Sequence, residues 1–337
     1  MIYSSLLVHR LMLRDTARTH AFDKAIASTV RRDDVVLDVG AGSGILSLFA
    51  ARAGARRVYA VEATRVARVA RQLALANGVG NAVQVIEAPM EEARLPEPVD
   101  LIVSEWLGAI GVDENLLGMV LVARDRWLKP QGRLVPRRVT AWMAPVCLSL
   151  RPDTAFFRER PYGLDLAALA EASIDELPCA RQKVTPGDLA ARPVPLWTTD
   201  MATAAASQAV LPMRASVEFS VPRPATVNAL AAWFSAELAD GIELSNAPGA
   251  PDTHWGQLLL RLEREQRAVA RDVVAVHFAC IPLCPGQSAL AWSVRVGRAP
   301  WEHHDTRTAP GLYTLDPRIC GVRPYRDRAP AWVESAV

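Results

Sequence analysis

The chain has 337 residues, a formal net charge of +2 and a composition that is half hydrophobic and 22% charged. That is length enough for two buried cores and too apolar for a disordered chain. The near-neutral balance gives no electrostatic footprint for nucleic acid, and no run of about 18 apolar residues marks a membrane span, so neither partner is expected.

Only Lys24, Lys129 and Lys183 are lysines, and arginine supplies the rest of the basic charge. With abundant alanine and proline, this points to a GC-rich, bacterial genome. The five cysteines, Cys147, Cys179, Cys280, Cys284 and Cys320, have no paired spacing and read as the reduced thiols of a cytoplasmic protein. Cys280-x-x-x-Cys284 lacks a second pair, so no metal site is expected. The start, MIYSSLLVHRLML, is apolar but broken by His9 and Arg10, and reads as part of the fold rather than as a signal peptide.

Residues 1–34 carry apolar positions near the helical period, among them Met12, Phe22, Ala25 and Ile26, and predict a pair of amphipathic helices. They either cover a sheet edge or form a lid over a ligand. In the second case Arg18 grips a carboxylate, which its planar fork matches. Next comes VVLDVGAGSGILSLFAARAGARRVYAVE: a strand at 35–37, glycines at 40, 42 and 44, a helix over 45–53 stopped by Gly54, and a strand ending on Glu62. This is the first half of a doubly wound nucleotide-binding fold. The third glycine comes one residue too early for a dinucleotide loop, and Asp38 stands where a phosphate would be repelled. S-adenosylmethionine, which has a cationic sulfonium, an α-amino group and no phosphate, suits that site. Glu62 is placed to accept from the two ribose hydroxyls.

A helix is predicted over 64–77 and a strand over 83–86. That strand delivers Met90 and Glu91 to the ligand end of the sheet, for the adenine ring and its amino group. A strand at 99–103 delivers Ser104-Glu105-Trp106-Leu107-Gly108, and Glu114 follows nine residues after Glu105. With Gly108 and Gly111 between them, the two carboxylates suit a loop that folds back on itself rather than one helix face. A helix over 115–128 and a strand at 133–135 close this half. Beyond residue 140, short strands with proline-rich turns follow, at 140–150, 194–197, 215–221, 226–235, 257–262, 273–281 and 289–296. They predict an all-β domain, barrel or sandwich. One helical interruption, 156–177, carries Tyr162-Gly163-Leu164-Asp165 and suits an arm for a partner chain.

Over almost its whole length the chain resembles the protein arginine methyltransferases. The match lies in VLDVGAGSGIL, AVEAT, Met90-Glu91-Glu92, the double-glutamate loop SEWLGAIGVDENLL and Thr253-His254-Trp255. At the N-terminus Tyr3, His9, Met12, Asp15 and Arg18 fall at the spacings of the family's cofactor-covering helix. The resemblance implies an S-adenosylmethionine-binding Rossmann-like domain at 35–138 under helices 1–34. A β-barrel domain at 139–337 follows, with a dimerisation arm at 156–177, from which a homodimer is expected. It implies that His9, Arg18, Asp38, Gly40, Gly42, Glu62, Met90 and Glu91 contact the cofactor and that Glu105 and Glu114 hold a guanidinium. Met12, Trp106, Leu116 and Trp255 then face the substrate. Asp15 pairs with His254, which is alternatively a proton acceptor. Ala109, Gly111 and Val112 are smaller than many relatives carry there.

Two substrate classes follow for an arginine N-methyltransferase. The slightly basic charge and bacterial composition favour free L-arginine or a small guanidino compound, with Asp113 as the partner for an α-amine. Arginine in a protein is the other. A catalytically silent scaffold of the same fold is a third reading, and Asp38, Glu62, Glu105 and Glu114 weigh against it.

Overall fold

The computed structural model describes residues 4–148, 155–172 and 183–308. Tyr3, Cys179, Cys320 and the last part of the expected arm, 173–177, lie outside the described residues. The rest forms two compact units. One contains Met1–Ala141, Thr198–Val210 and Trp233–Gly256, and the other contains Trp142–Trp197, Leu211–Ala232 and the described part of Gln257–Val337.

In the first unit, β1 (Val35–Val39), β2 (Arg57–Glu62), β3 (Val83–Glu87), β4 (Val99–Val103) and β5 (Leu128–Val135) form a parallel sheet in the order β3-β2-β1-β4-β5. The central β1 is buried at every position, as a strand covered on both faces must be. The strand order reverses between β1 and β4, and Asp38 stands opposite Val103 across that pair. Gly40 and Glu105, each two residues further on, therefore leave the sheet at the same carboxyl edge, where open α/β sheets bind their ligands.

Helices α1 (Leu6–Arg14), α2 (Thr16–Thr29), α3 (Ile45–Arg52), α4 (Val66–Ala76) and α5 (Leu117–Trp127) belong to this unit. The carboxylate of Asp15 caps α2 by accepting from the Arg18 N–H at 2.9 Å, and Phe22, Ala25 and Ile26 are fully buried on its inner face. No helix among the described residues is long and apolar enough to cross a membrane.

The all-β region comprises β6 (Arg138–Val146), β7 (Val194–Asp200), β8 (Met213–Ser220), β9 (Ala225–Ala239), β10 (Ile242–Ser245), β11 (Leu258–Ala268), β12 (Val273–Cys284), β13 (Gln287–Val296) and β14 (Glu302–Asp305). In the second unit β8, β12, β13 and β14 make a sheet in the order β14-β13-β12-β8, with Phe219, Phe278 and Trp292 buried on one face. Trp197 stacks on Phe278 with centroids 5.8 Å apart. Among the described residues no cluster of ligating side chains could hold a metal ion.

Two strands escape the sequence pattern, β10 and β14, each of four residues and too short to show alternation. The interruption at 156–177 is not one helix. It is α6 (Ala155–Arg158), a single turn at Pro161–Gly163 and α7 (Ala167–Ala172). Arg160 and Tyr162 both have positive φ, at 53° and 58°, and Pro161 between them has no N–H to donate, so a helix cannot run through.

Candidate active site

The glycine loop after β1 is left-handed at Gly40, Gly42 and Gly44. At Gly42 a Cβ would sit 2.7 Å from Cε1 of His9, so the buried His9 ring lies against the loop and only glycine leaves it room. Asp38 lies beneath. Its Oδ2 accepts from Ser47 Oγ at 2.6 Å, while its buried Oδ1 has no hydrogen-bond partner. Burial pushes the Asp38 pKa up to about 7; the Ser47 hydrogen bonds pull it down and the nearby Glu62 charge adds to the rise.

Glu62 organises the turn beside it. Its Oε2 accepts from the Gly42 N–H at 2.9 Å and its Oε1 from the Thr64 N–H at 2.7 Å. Each carboxylate oxygen has a second lone pair to offer. Met90 is buried and Glu91 is exposed beyond the carboxyl end of β3. An orphaned buried carboxylate oxygen and a carboxylate with acceptor capacity to spare suit a ligand carrying an amine or cation and a diol, as S-adenosylmethionine does.

Glu105, two residues past β4, is engaged on both oxygens, with one lone pair of Oε1 to spare. Its Oε1 accepts from the Leu107 N–H at 2.9 Å, and its Oε2 takes Nε of Arg18 at 2.9 Å and Nη2 of Arg18 at 2.7 Å. Both side chains are buried, at 6% and 9% exposure. Nη1 of Arg18 reaches the carbonyl of the half-buried Met12 at 3.3 Å. A guanidinium has five N–H groups, so after these contacts Arg18 has donors left for a further carboxylate.

The loop after Glu105 does fold back. Gly108 and Gly111 exchange reciprocal backbone hydrogen bonds of 3.1 Å. Asp113 closes it from within, its two oxygens accepting from the Ala109 N–H at 3.1 Å and the Ile110 N–H at 2.9 Å. Desolvation raises the Asp113 pKa against the pull of those hydrogen bonds. Asp113, expected as the partner of an incoming amine, has each of its oxygens bonded to a backbone N–H of its own loop, which it holds together. Trp106 needs a correction. At 1% exposure it is a core anchor and offers a substrate almost no surface. Trp255 donates from Nε1 to the Leu107 carbonyl at 2.7 Å and meets Phe234 edge-on, so it also braces the loop. Glu114, half-buried, stands just before Asn115 (φ 51°), and Leu116 occupies the N-cap position of α5.

Asp15 joins α2 to a segment 239 residues away. Its Oδ2 accepts from the His254 backbone N–H at 2.7 Å and lies 2.8 Å from His254 Nδ1. Burial works to raise the Asp15 pKa, but the hydrogen bonds from the His254 ring, the Arg18 N–H and the His254 N–H outweigh it, and the net shift is downward. An ionised carboxylate can only accept, so Nδ1 of His254 carries the hydrogen.

Two features here are absent from the sequence reading. The Arg18–Glu105 pair joins two residues assigned separate tasks. Asn246, inside Ser245-Asn246-Ala247-Pro248-Gly249, reads as a turn residue; its buried position beside the Ala109 carbonyl shows only in three dimensions.

Residues 138–291 match the family described as arginine methyltransferase oligomerization subdomain, and residues 19–116 match ribosomal protein L11 methyltransferase. Protein arginine N-methyltransferase 6 of Xenopus laevis is 36% identical over 275 residues, covering 78% of this chain and 80% of that protein. Protein arginine N-methyltransferase PRMT10 of Oryza sativa subsp. japonica is 35% identical over 311 residues, covering 83% and 82%. Among solved structures, the Trypanosoma brucei PRMT1 enzyme-prozyme heterotetrameric complex with AdoHcy aligns at a TM-score of 0.77 and 29% identity, over 90% of this chain and 98% of that one. Arabidopsis thaliana protein arginine methyltransferase 10 aligns at 0.74 and 29%, over 90% and 97%. With that identity sustained along most of its length and both glutamates on one folded-back loop, the chain belongs to the protein arginine N-methyltransferase family, a family of S-adenosylmethionine-dependent enzymes.

Proposed function

We propose that this protein methylates the guanidino group of arginine within a peptide or protein chain, using S-adenosylmethionine. The observation that carries the reading is Glu105: a buried carboxylate at the ligand edge of the sheet that already holds one guanidinium, that of Arg18. The bound donor supplies an electrophilic methyl group. His9, Arg18, Asp38, Gly40, Gly42, Glu62, Met90 and Glu91 are the residues assigned to hold it.

The rest is the work of the loop. A guanidinium has a pKa above about 12 and spreads its charge over three nitrogens, which makes each a poor nucleophile. Glu105 and Glu114 draw that charge onto the nitrogens they bind, so the third keeps more of its lone pair. They also offset the repulsion between a cationic substrate and a cationic donor. Both oxygens of Glu105 are committed to donors, which suits it to hold charge. Glu114 is assigned to take the proton, with His254 in a structural role against Asp15.

Arginine in a peptide is favoured over free L-arginine. The expected partner for a free α-amine, Asp113, is already engaged on both oxygens by backbone N–H groups of the loop, and the relatives are named for protein substrates. Mass spectrometry after incubation with an arginine-rich peptide or with L-arginine decides. Methylated peptide is expected; methylation of L-arginine alone reverses the assignment, and methylation of neither supports a silent scaffold.

Asp38 predicts a pH dependence. In the folded chain it keeps its proton up to about pH 7, whereas the unfolded group loses it near 3.8. The folded state binds more protons in that window, so this group lowers stability as pH climbs through it. A cationic ligand favours the ionised form, so donor affinity rises as pH passes about 7. Calorimetry should show binding up to about tenfold tighter at pH 8 than at pH 6, and Asp38→Asn should flatten the difference. Equal wild-type affinity at both values would separate Asp38 from the donor's charge.

A homodimer is proposed as well. The arm exposes Phe156, Tyr162, Leu164 and Leu169, with Tyr162 at 89%, and α1 exposes Leu6, Leu7 and Leu11. That is more apolar surface than a lone chain comfortably shows to water. Changing Phe156, Tyr162 and Leu164 together to serine should give a monomer in light scattering; an unchanged dimer would clear the arm of that role. A cytoplasmic location fits the unpaired spacing of the cysteines.

A further inference from the structure

We propose that Asn246 is a positioning residue for the carboxylate-bearing loop, an amide clamp that fixes the loop's turn from outside while Asp113 fixes it from inside. The inference rests on the proposed function for its kinetic consequence and on geometry alone for its structural one.

Asn246 is 2% exposed. Its Nδ2 donates to the Ala109 carbonyl at 2.8 Å and to the Gly256 carbonyl at 2.5 Å, and its Oδ1 accepts from the Phe234 N–H at 2.8 Å. One side chain thus ties three backbone segments: the tip of the loop between Glu105 and Glu114, the residue after His254 and Trp255, and β9. Only an amide of this size meets the demand. It has two donors and an acceptor in one plane, whereas a carboxylate of the same shape has no donor to set against two carbonyls, and a hydroxyl has one.

The clamp completes the loop's polar accounting. The Ala109 N–H is held by Asp113, its carbonyl by Asn246, and the Leu107 carbonyl by Trp255. Gly108 and Gly111 hold each other. Those contacts hold the turn in this arrangement, and the two glutamates at its ends inherit it. Orphaning the Ala109 carbonyl loosens the turn that sets the spacing between the carboxylates. None of the clamp's partners lies in the glycine loop, so donor binding is left alone.

The test compares wild type with Asn246→Asp, Asn246→Ser and Asn246→Ala. It measures kcat and KM on an arginine-rich peptide, S-adenosylmethionine affinity by calorimetry, and amide exchange across residues 108–111. At pH 8 Asn246→Asp should lose about tenfold or more in kcat, the equivalent of one buried hydrogen bond, with donor affinity unchanged within about twofold. Lowering the pH toward 6 should restore part of the loss in Asn246→Asp alone, because a protonated carboxyl regains one donor. Exchange across 108–111 should accelerate in every variant that folds, and the serine and aspartate variants keep the test alive if the alanine variant does not. The proposal is overturned if Asn246→Asp and Asn246→Ser both keep kcat within about threefold at pH 8, or if donor affinity falls as far as kcat does. Exchange needs no substrate, so a wild type that methylates no guanidine would defeat the functional reading while the exchange rates still judged the clamp.

Discussion

Glu105→Gln is expected to lower turnover on an arginine peptide by about 100- to 1,000-fold, the usual result of removing one electrostatic partner of a transition state. The substitution preserves shape, but its single oxygen can serve either the Leu107 N–H or Arg18 and not both, and the charge facing the substrate is gone. The buried Arg18 guanidinium is left with a neutral partner, and an incoming guanidinium has one carboxylate where it had two. Donor affinity should fall far less than turnover, because the glycine loop and Glu62 are untouched and Arg18, itself assigned to the donor, loses only its charged partner. Initial-rate kinetics beside calorimetry separate the two effects. Turnover within about tenfold of wild type would remove Glu105 from the chemistry.

Asp15→Ala should destabilise the protein by about 3 kcal/mol, the sum of a lost helix cap and a buried charge-assisted pair. Three hydrogen bonds disappear together: one to Arg18 and two to His254. Asp15→Asn should cost less, since its one amide oxygen still either caps α2 or accepts from the His254 N–H. The folded Asp15 pKa lies below its unfolded value of 3.8. Its stabilising effect is therefore present above pH 3.8 and fades as pH falls through the folded value. Urea unfolding at pH 7 and at pH 3 should show the wild-type advantage shrinking in acid. A difference below about 0.5 kcal/mol at pH 7 would mean the pair contributes nothing to the fold.

The parallel sheet was legible because its signals are local. The β-branched run at 35–37, the glycines and the carboxylate at the end of β2 each announce themselves within a few residues. The folded-back loop was legible from Gly108 and Gly111 for the same reason. What escaped depends on partners remote in sequence. Asp113 looks like a second acid near the substrate until the Ala109 and Ile110 N–H groups are seen to occupy it. Trp106 carries a motif's conspicuous aromatic, yet burial rather than residue type decides what it can touch. Asn246 sits in a run of turn-forming residues, where asparagine is ordinary, and nothing local distinguishes a clamp from a bend. The pairing of Asp15 with His254 entered through family resemblance alone, since no periodicity links positions so far apart.

The first compact unit draws its last segment, Trp233–Gly256, from well past the parallel sheet. A gene cut after residue 141 would still encode every strand of that sheet. It would lack His254, Trp255 and Asn246, leaving Asp15 capping a helix with no imidazole to hold and the carbonyls of Leu107 and Ala109 without donors. The methyl-donor half is therefore no cassette that can be excised, shuffled or grafted by a single cut. Its chemistry is inherited only with the return stretch that threads back into it.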